Sequence, residues 1–210
     1  MIKSLYNKLL KFFGPQRWWP VKGKKSNAKL EICLGAILTQ NTSWKNVEKA
    51  LNNLRKNGLL NLEKLVEISE IKLRAIIRPS GFFKQKAKYV KFFVKYVDKH
   101  QDLDKLFEKP LGALRKELLE ISGIGEETAD SILLYAAGKP IFVVDAYTKR
   151  IFSRLGIIKN KASYENIQRL VHQSIKPNVK IYQEFHALLV ALGKSFCKRK
   201  SLCNKCPVRN

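Results

Sequence analysis

Acidic side chains are scarce in this chain. Seventeen Asp and Glu stand against 41 Lys and Arg, a formal charge of +24. Before Glu31 there are eight basic residues and no acidic one, and residues 84–99 hold six lysines and one aspartate. That imbalance makes a polyanion the natural partner, bound through phosphates without regard to sequence. A general lysine bias adds to the total without any partner. Other absences narrow the class. No stretch of eighteen apolar residues exists, which excludes a helical membrane span. An anionic membrane surface would need a cleaner amphipathic face than these segments offer. The basic, apolar start (residues 1–14) lacks a small-residue cleavage site and reads as an amphipathic helix with Leu5, Leu9, Phe12 and Phe13 on one side. The expected location is therefore cytoplasmic. There are no repeats or low-complexity tracts. Alternating β patterning is missing beyond the short run Ile141, Phe142, Val143 and Val144. The expected fold class is all-α.

Only four cysteines are present, too few and too unevenly placed for a disulfide framework. Cys33 sits in an apolar run and reads as a small buried hydrophobe. Cys197, Cys203 and Cys206 crowd the end of the chain, a spacing that points to a metal.

What is there is a succession of helical patterns in 210 residues, long enough for one domain or two small ones. Residues 30–38 are apolar. After Thr39-Gln40-Asn41-Thr42, Val47, Ala50, Leu51 and Leu54 recur at helical spacing, and Gly58 closes that helix. A short helix lies near 62–68. Ser69 caps another, which Arg78-Pro79-Ser80-Gly81 breaks. A long helix then runs to about Val97, burying Val90, Phe93, Val94 and Val97. Its lysines, Lys84 first, either meet phosphate beside Gly81 or form a solvated face. Residues 15–25 interrupt helix, and Trp18-Trp19-Pro20 either fills a helix seam or stacks on a planar base. Helices also follow Asp145, Ser163 and Pro177, the last over 181–192.

The densest stretch is residues 118–150, LLEISGIGEETADSILLYAAGKPIFVVDAYTKR. Gly123 and Gly125 permit positive φ and close backbone approach. The helix after them carries Thr128, Ala129, Ile132, Leu133 and Ala136 on one face, and its free N–H groups suit a phosphate. An aspartate at 145, just before a helix, is ordinarily an N-cap.

LLEISGIGEETAD followed by VVDAYTKR resembles the helix-hairpin-helix and Gly/Pro/Asp region of the endonuclease III superfamily of DNA glycosylases. The resemblance covers nearly the whole chain and implies the following. The hairpin (Gly123, Ile124, Gly125, Thr128) grips the backbone of duplex DNA carrying a damaged or mismatched base, with Lys84 and Lys149 as further phosphate contacts. Gln40, in ILTQNTSW, fills the gap left by the extruded nucleotide. Trp18, Trp19 and Trp44 are candidates to receive the base, as in the 3-methyladenine type, and Glu127 lines the pocket. Asp145 is the catalytic carboxylate. Bifunctional members carry a Schiff-base lysine where Glu127 stands, so the resemblance implies a monofunctional enzyme, leaning to alkylated purines. Alternatives are an endonuclease III-like enzyme for oxidised pyrimidines, uracil or mismatched thymine, and a non-catalytic DNA-binding hairpin protein.

The same family carries a [4Fe–4S] cluster on four cysteines usually spaced x6, x2 and x5. Here Cys197-x5-Cys203-x2-Cys206 has one residue fewer in its first gap, and the fourth position would be 212, past Asn210. A [4Fe–4S] cluster on Cys197, Cys203 and Cys206 is the expectation, the chain being cut short of its fourth ligand or a non-cysteine filling the site; the alternatives are a lost cluster and, as a minor option, zinc. The implied layout is two lobes, 28–137 and 1–27 with 138–210, acting as a monomer, with DNA in the cleft at Asp145.

Overall fold

The computed structural model describes residues 1–19, 27–159, 161–200 and 202–209. Helices are the only regular structure among them, in keeping with the expected all-α class. In chain order they are α1 (Ile2–Phe13), α2 (Ala28–Leu38), α3 (Trp44–Lys56), α4 (Leu62–Glu67), α5 (Glu70–Ile76), α6 (Phe83–Lys99), α7 (Leu103–Glu108), α8 (Leu111–Glu120), α9 (Glu126–Ser131), α10 (Ala146–Arg154), α11 (Tyr164–Ser174) and α12 (Val179–Ser195). α9 continues into a π-helical turn, Ile132–Ala136. α7 escaped sequence reading; Asp102 starts it by accepting the Lys105 N–H at 2.8 Å. α12 starts earlier than expected because Asn178 caps it, accepting from the Ile181 N–H.

The chain divides into two compact units, Val21–Ala137 and Met1–Pro20 with Gly138–Asn210. The first is organised around α2. Every residue from Leu30 to Leu38 is buried, because α3, α6 and the π-helical turn all pack on this helix. A helix apolar on all sides is what a central position demands. Its one carboxylate, Glu31, is 2% exposed and takes Arg55 from α3 at 2.9 Å. On α3 the expected stripe Val47, Ala50, Leu51 and Leu54 is buried, and on α6 Val90, Phe93, Val94 and Val97 are.

Two α6 lysines behave in neither of the ways the sequence offered. The Lys86 ammonium is buried and donates to the carbonyls of Leu38 (2.8 Å) and Ser80 (2.7 Å). Leu38 ends α2, so a cation meets carbonyls that have no helical partner and the negative end of a dipole. Burial pushes the Lys86 amine down to about 8. Lys91 does the same beyond α4, donating to Leu65, Val66 and Ile68. Lys84, by contrast, is exposed.

In the second unit α1 packs on α12 through Ile2, Leu5 and Leu9. Phe12 does not join that face; it is exposed, its ring edge-on to Phe13 and Phe196. Residues 141–144 are buried, lie outside any helix and pair with no strand. Side chains of α11 satisfy them instead. His172 Nε2 accepts from Phe142 N–H (3.1 Å), Gln168 donates to the Phe142 carbonyl (2.7 Å), and the Tyr164 hydroxyl accepts from Val144 N–H (3.3 Å). A buried backbone must find partners somewhere, and these three hold the link that delivers Asp145.

Candidate active site

Asp145 is the N-cap of α10. Its Oδ1 accepts from the Thr148 N–H at 2.7 Å and the Thr148 hydroxyl at 2.8 Å. The residue is 7% exposed. Oδ2 lies 3.5 Å from Nε2 of His186, a buried residue of α12. Burial pushes the carboxyl up, but the hydrogen bond and charge of His186, with the two Thr148 donors, outweigh it and hold Asp145 below its ordinary value. The carboxylate is fixed in place and kept ionised.

α10 and α12 are pinned together. A Cβ added at Gly193 would sit 2.2 Å from the Tyr147 ring, so only glycine lets the two helices approach this closely. Arg150 lies over the same ring and donates from Nε to the Cys197 carbonyl at 2.8 Å. Trp18 stacks on His186 with centroids 5.7 Å apart and planes 12° apart. Trp19 stacks on Trp18, and the Lys194 ammonium lies 5.7 Å over the Trp18 ring. Both tryptophans are half-buried, and Pro20 after them lies outside the described residues. Lys149 is exposed, its ammonium over the Tyr164 ring. The sequence reading gave His186 no role; the signal was a histidine on the otherwise apolar face of α12, four residues from Val190.

In the other unit α8 and α9 form the hairpin. Gly123 has φ +88, and a Cβ there would lie 2.0 Å from the Tyr89 ring, so both its conformation and its packing require glycine. Gly125 differs from expectation. Its φ is −90, ordinary extended backbone, and nothing lies within 4 Å of where its side chain would be. Ile124 is buried, with its N–H bonded to the Ile121 carbonyl. Thr128 is buried and accepts from the Gln40 amide at 3.1 Å, while the same amide donates to the Gly123 carbonyl at 2.8 Å. Gln40 is thus turned onto the hairpin. Glu127 is exposed at the start of α9, its carbonyl accepting from Ser131. Trp44 is half-buried at the first position of α3. Sequence reading missed Asp130, fully buried and held by Arg115 of α8 through Nε and Nη2.

Cys197, Cys203 and Cys206 line one cavity below α10 and α12. Arg154 shares it, with Nη1 3.4 Å from the Cys197 sulfur and donating to the Lys198 carbonyl, and Nη2 donating to Arg199. No three His, Cys, Asp or Glu side chains among the described residues are grouped to hold a metal ion. Cys33 is fully buried in α2, where burial pushes its thiol up. Three thiols and a guanidinium do not make the four-thiolate set of a [4Fe–4S] cluster. The described residues therefore do not supply the set that the expected cluster needs.

A glycine hairpin between two packed helices, then an extended link ending in an aspartate that caps a helix, defines the helix-hairpin-helix class with a Gly/Pro/Asp region. Residues 34–177 match the HhH-GPD superfamily of base excision DNA repair proteins, and the chain belongs to that family. It is 47% identical over 212 residues to a candidate DNA repair glycosylase of Methanocaldococcus jannaschii, covering all of this chain and 94% of that protein. It is 30% identical to endonuclease III of Sulfolobus acidocaldarius, covering 90% of this chain and 82% of the relative. Among solved structures, the H. pylori 3-methyladenine DNA glycosylase MagIII bound to 1,N6-ethenoadenine superposes with a TM-score of 0.75 at 33% identity, covering 92% of this chain and 94% of that one. No helix among the described residues is long and apolar enough to cross a membrane.

Proposed function

We propose that this protein is a monofunctional DNA glycosylase that releases an extruded alkylated purine by hydrolysis, with Asp145 as the catalytic carboxylate. The observation that carries the reading is the Asp145 carboxylate, buried yet held ionised by Thr148 and His186. Breaking the bond between the sugar and the base leaves positive charge on the sugar. A fixed carboxylate stabilises that charge without having to reorganise, and can orient the water that attacks the sugar carbon. An alkylated, cationic base departs with the bonding pair as a neutral purine, and the attacking water passes its proton to the Asp145 carboxylate as the new C–O bond forms, to be lost from there to solvent.

Glu127 supports the monofunctional part. A carboxylate has no nitrogen with which to form a Schiff base on the sugar, so an intact abasic site is the expected product. The lean to alkylated purines rests on the likeness to MagIII and on Trp18 and Trp19, electron-rich rings suited to a cationic base. Extrusion is least costly where pairing is already weakened. The hairpin and the positive charge supply the grip on the duplex backbone, with Gly125 leaving room for a phosphate against the start of α9. The chain acts as a monomer in this reading.

The test is a panel of duplexes carrying alkylated purines, uracil, oxidised pyrimidines or mismatched thymine, treated with and without alkali. The expected result is strand breakage at an alkylated purine only after alkali, and none with Asp145→Asn. Breakage without alkali and covalent trapping by borohydride would overturn the monofunctional reading. Release of oxidised pyrimidines alone would replace the substrate class.

A further inference from the structure

We propose that His186 is a positioning residue for Asp145, and that Trp18 clamps the imidazole so that the carboxylate keeps its aim and its charge; this rests on Asp145 being the glycosylase carboxylate. Three contacts converge on the argument. His186 Nε2 faces Asp145 Oδ2 at 3.5 Å, with both side chains about a tenth exposed or less. The opposite oxygen is taken by Thr148, whose N–H and hydroxyl approach Oδ1 and leave Oδ2 to the imidazole. The imidazole plane is set by Trp18, parallel to it within 12°. An imidazole gripped on its face and aimed edge-on at a carboxylate does more than fill space. An aliphatic side chain would fill the same core position on α12.

The physical need is plain. A carboxylate buried to this extent is driven toward its neutral form, in which it would carry no charge to offer a sugar cation. Thr148 engages Oδ1 with both its donors, and the His186 ring edge is what faces Oδ2. Other titratable groups around the pair are placed differently. The Tyr164 hydroxyl of α11 accepts from Val144, and Lys149 of α10 lies over that ring. Lys194 of α12 lies over Trp18, and Glu184 of α12 accepts from the Gln16 N–H. Lys194 thus lies over the Trp18 ring that His186 stacks on. Trp18 belongs to the segment read as meeting the base, so the clamp joins the base-contacting segment to the carboxylate through one ring.

Carbon-13 NMR of the aspartate carboxyl groups, with Asp145→Asn to assign the signal, reads this directly and needs no substrate. In the wild-type protein the Asp145 signal should show its own titration at acid pH, displaced below the ordinary aspartate range. In His186→Gln and in His186→Phe, which keeps a ring against Trp18, the Asp145 midpoint should rise above its wild-type value. Near-ultraviolet circular dichroism checks that the variants are folded. An unmoved Asp145 midpoint in the folded variants overturns the proposal. Single-turnover base release separates the two ideas. Activity surviving Asp145→Asn sinks the reading of Asp145 as catalyst. Activity lost with Asp145→Asn but with an identical acid limb in both His186 variants sinks only the role of His186.

Discussion

Arg115 reaches across the hairpin from α8 to grip Asp130 of α9 at two points, 2.8 Å through Nε and 3.3 Å through Nη2. Asp130 has no exposed surface, while Arg115 keeps about a fifth of its side chain in solvent. Removing one member of such a pair strands the other. Arg115→Met should therefore lower stability by about 3 kcal/mol, the lower end for a broken buried pair, and Asp130→Asn by less, because an amide still accepts one bond. Urea unfolding of both variants checks the order.

The two hairpin glycines should part company under the same substitution. Gly123→Ala forces a side chain into the Tyr89 ring at positive φ and is expected to destabilise by about 1–3 kcal/mol. Gly125→Ala meets nothing within 4 Å, so its melting should match wild type within about 0.5 kcal/mol. Its affinity for duplex DNA should nonetheless fall, because the added methyl occupies space a phosphate would use. A Gly125→Ala protein that binds duplex as tightly as wild type would remove that residue from the grip.

Lys86 gives a signature at alkaline pH. Its folded amine sits near 8 while an unfolded lysine titrates near about 10.4. Between those values the unfolded chain binds more protons, so this residue contributes stability that rises as pH climbs through the window. The stability of the wild type relative to Lys86→Met should increase from pH 7.5 to pH 10. The variant should also be weaker at neutral pH, since the Leu38 and Ser80 carbonyls lose their donor.

Asp145 acts at the other end of the scale. Its folded carboxyl lies below the ordinary value, so its contribution is complete above about pH 4 and is lost as pH falls through the folded value. Acidification from pH 5 to pH 3 should shrink the stability gap between wild type and Asp145→Asn. A gap that stays constant would mean that Asp145 carries no folded-state bias.

Iron and acid-labile sulfide analysis of freshly purified protein checks the cysteine loop. Because Arg154 shares the cavity with three thiols, the expected outcome is less than one cluster per chain. The fold should be unchanged in Cys203→Ser, because Cys203 is exposed. A full complement of four irons per chain would show that another residue completes the set.

Much of the helical order was written in period and punctuation. The stripe Val47, Ala50, Leu51 and Leu54, the stop at Gly58 and the cap at Asp145 are local features, so spacing alone disclosed them. What stayed hidden is decided by distant partners. A lysine that holds carbonyls looks identical in sequence to one that meets solvent, and only Leu38 and Ser80, 48 and six residues from Lys86, separate the two fates. His186 was hidden for the same reason: its meaning comes from Asp145 and Trp18, neither near it in the chain. Which of the two hairpin glycines uses its positive-φ freedom was hidden too: Gly123 does and Gly125 does not.

The fit of Gly193 against the Tyr147 ring imposes an order on change. Any side chain at 193 must wait until 147 has shrunk, and a smaller 147 first opens a gap between α10 and α12 that weakens the seat of Asp145. A library that randomises both positions together should return paired solutions which single replacements at either one never reach.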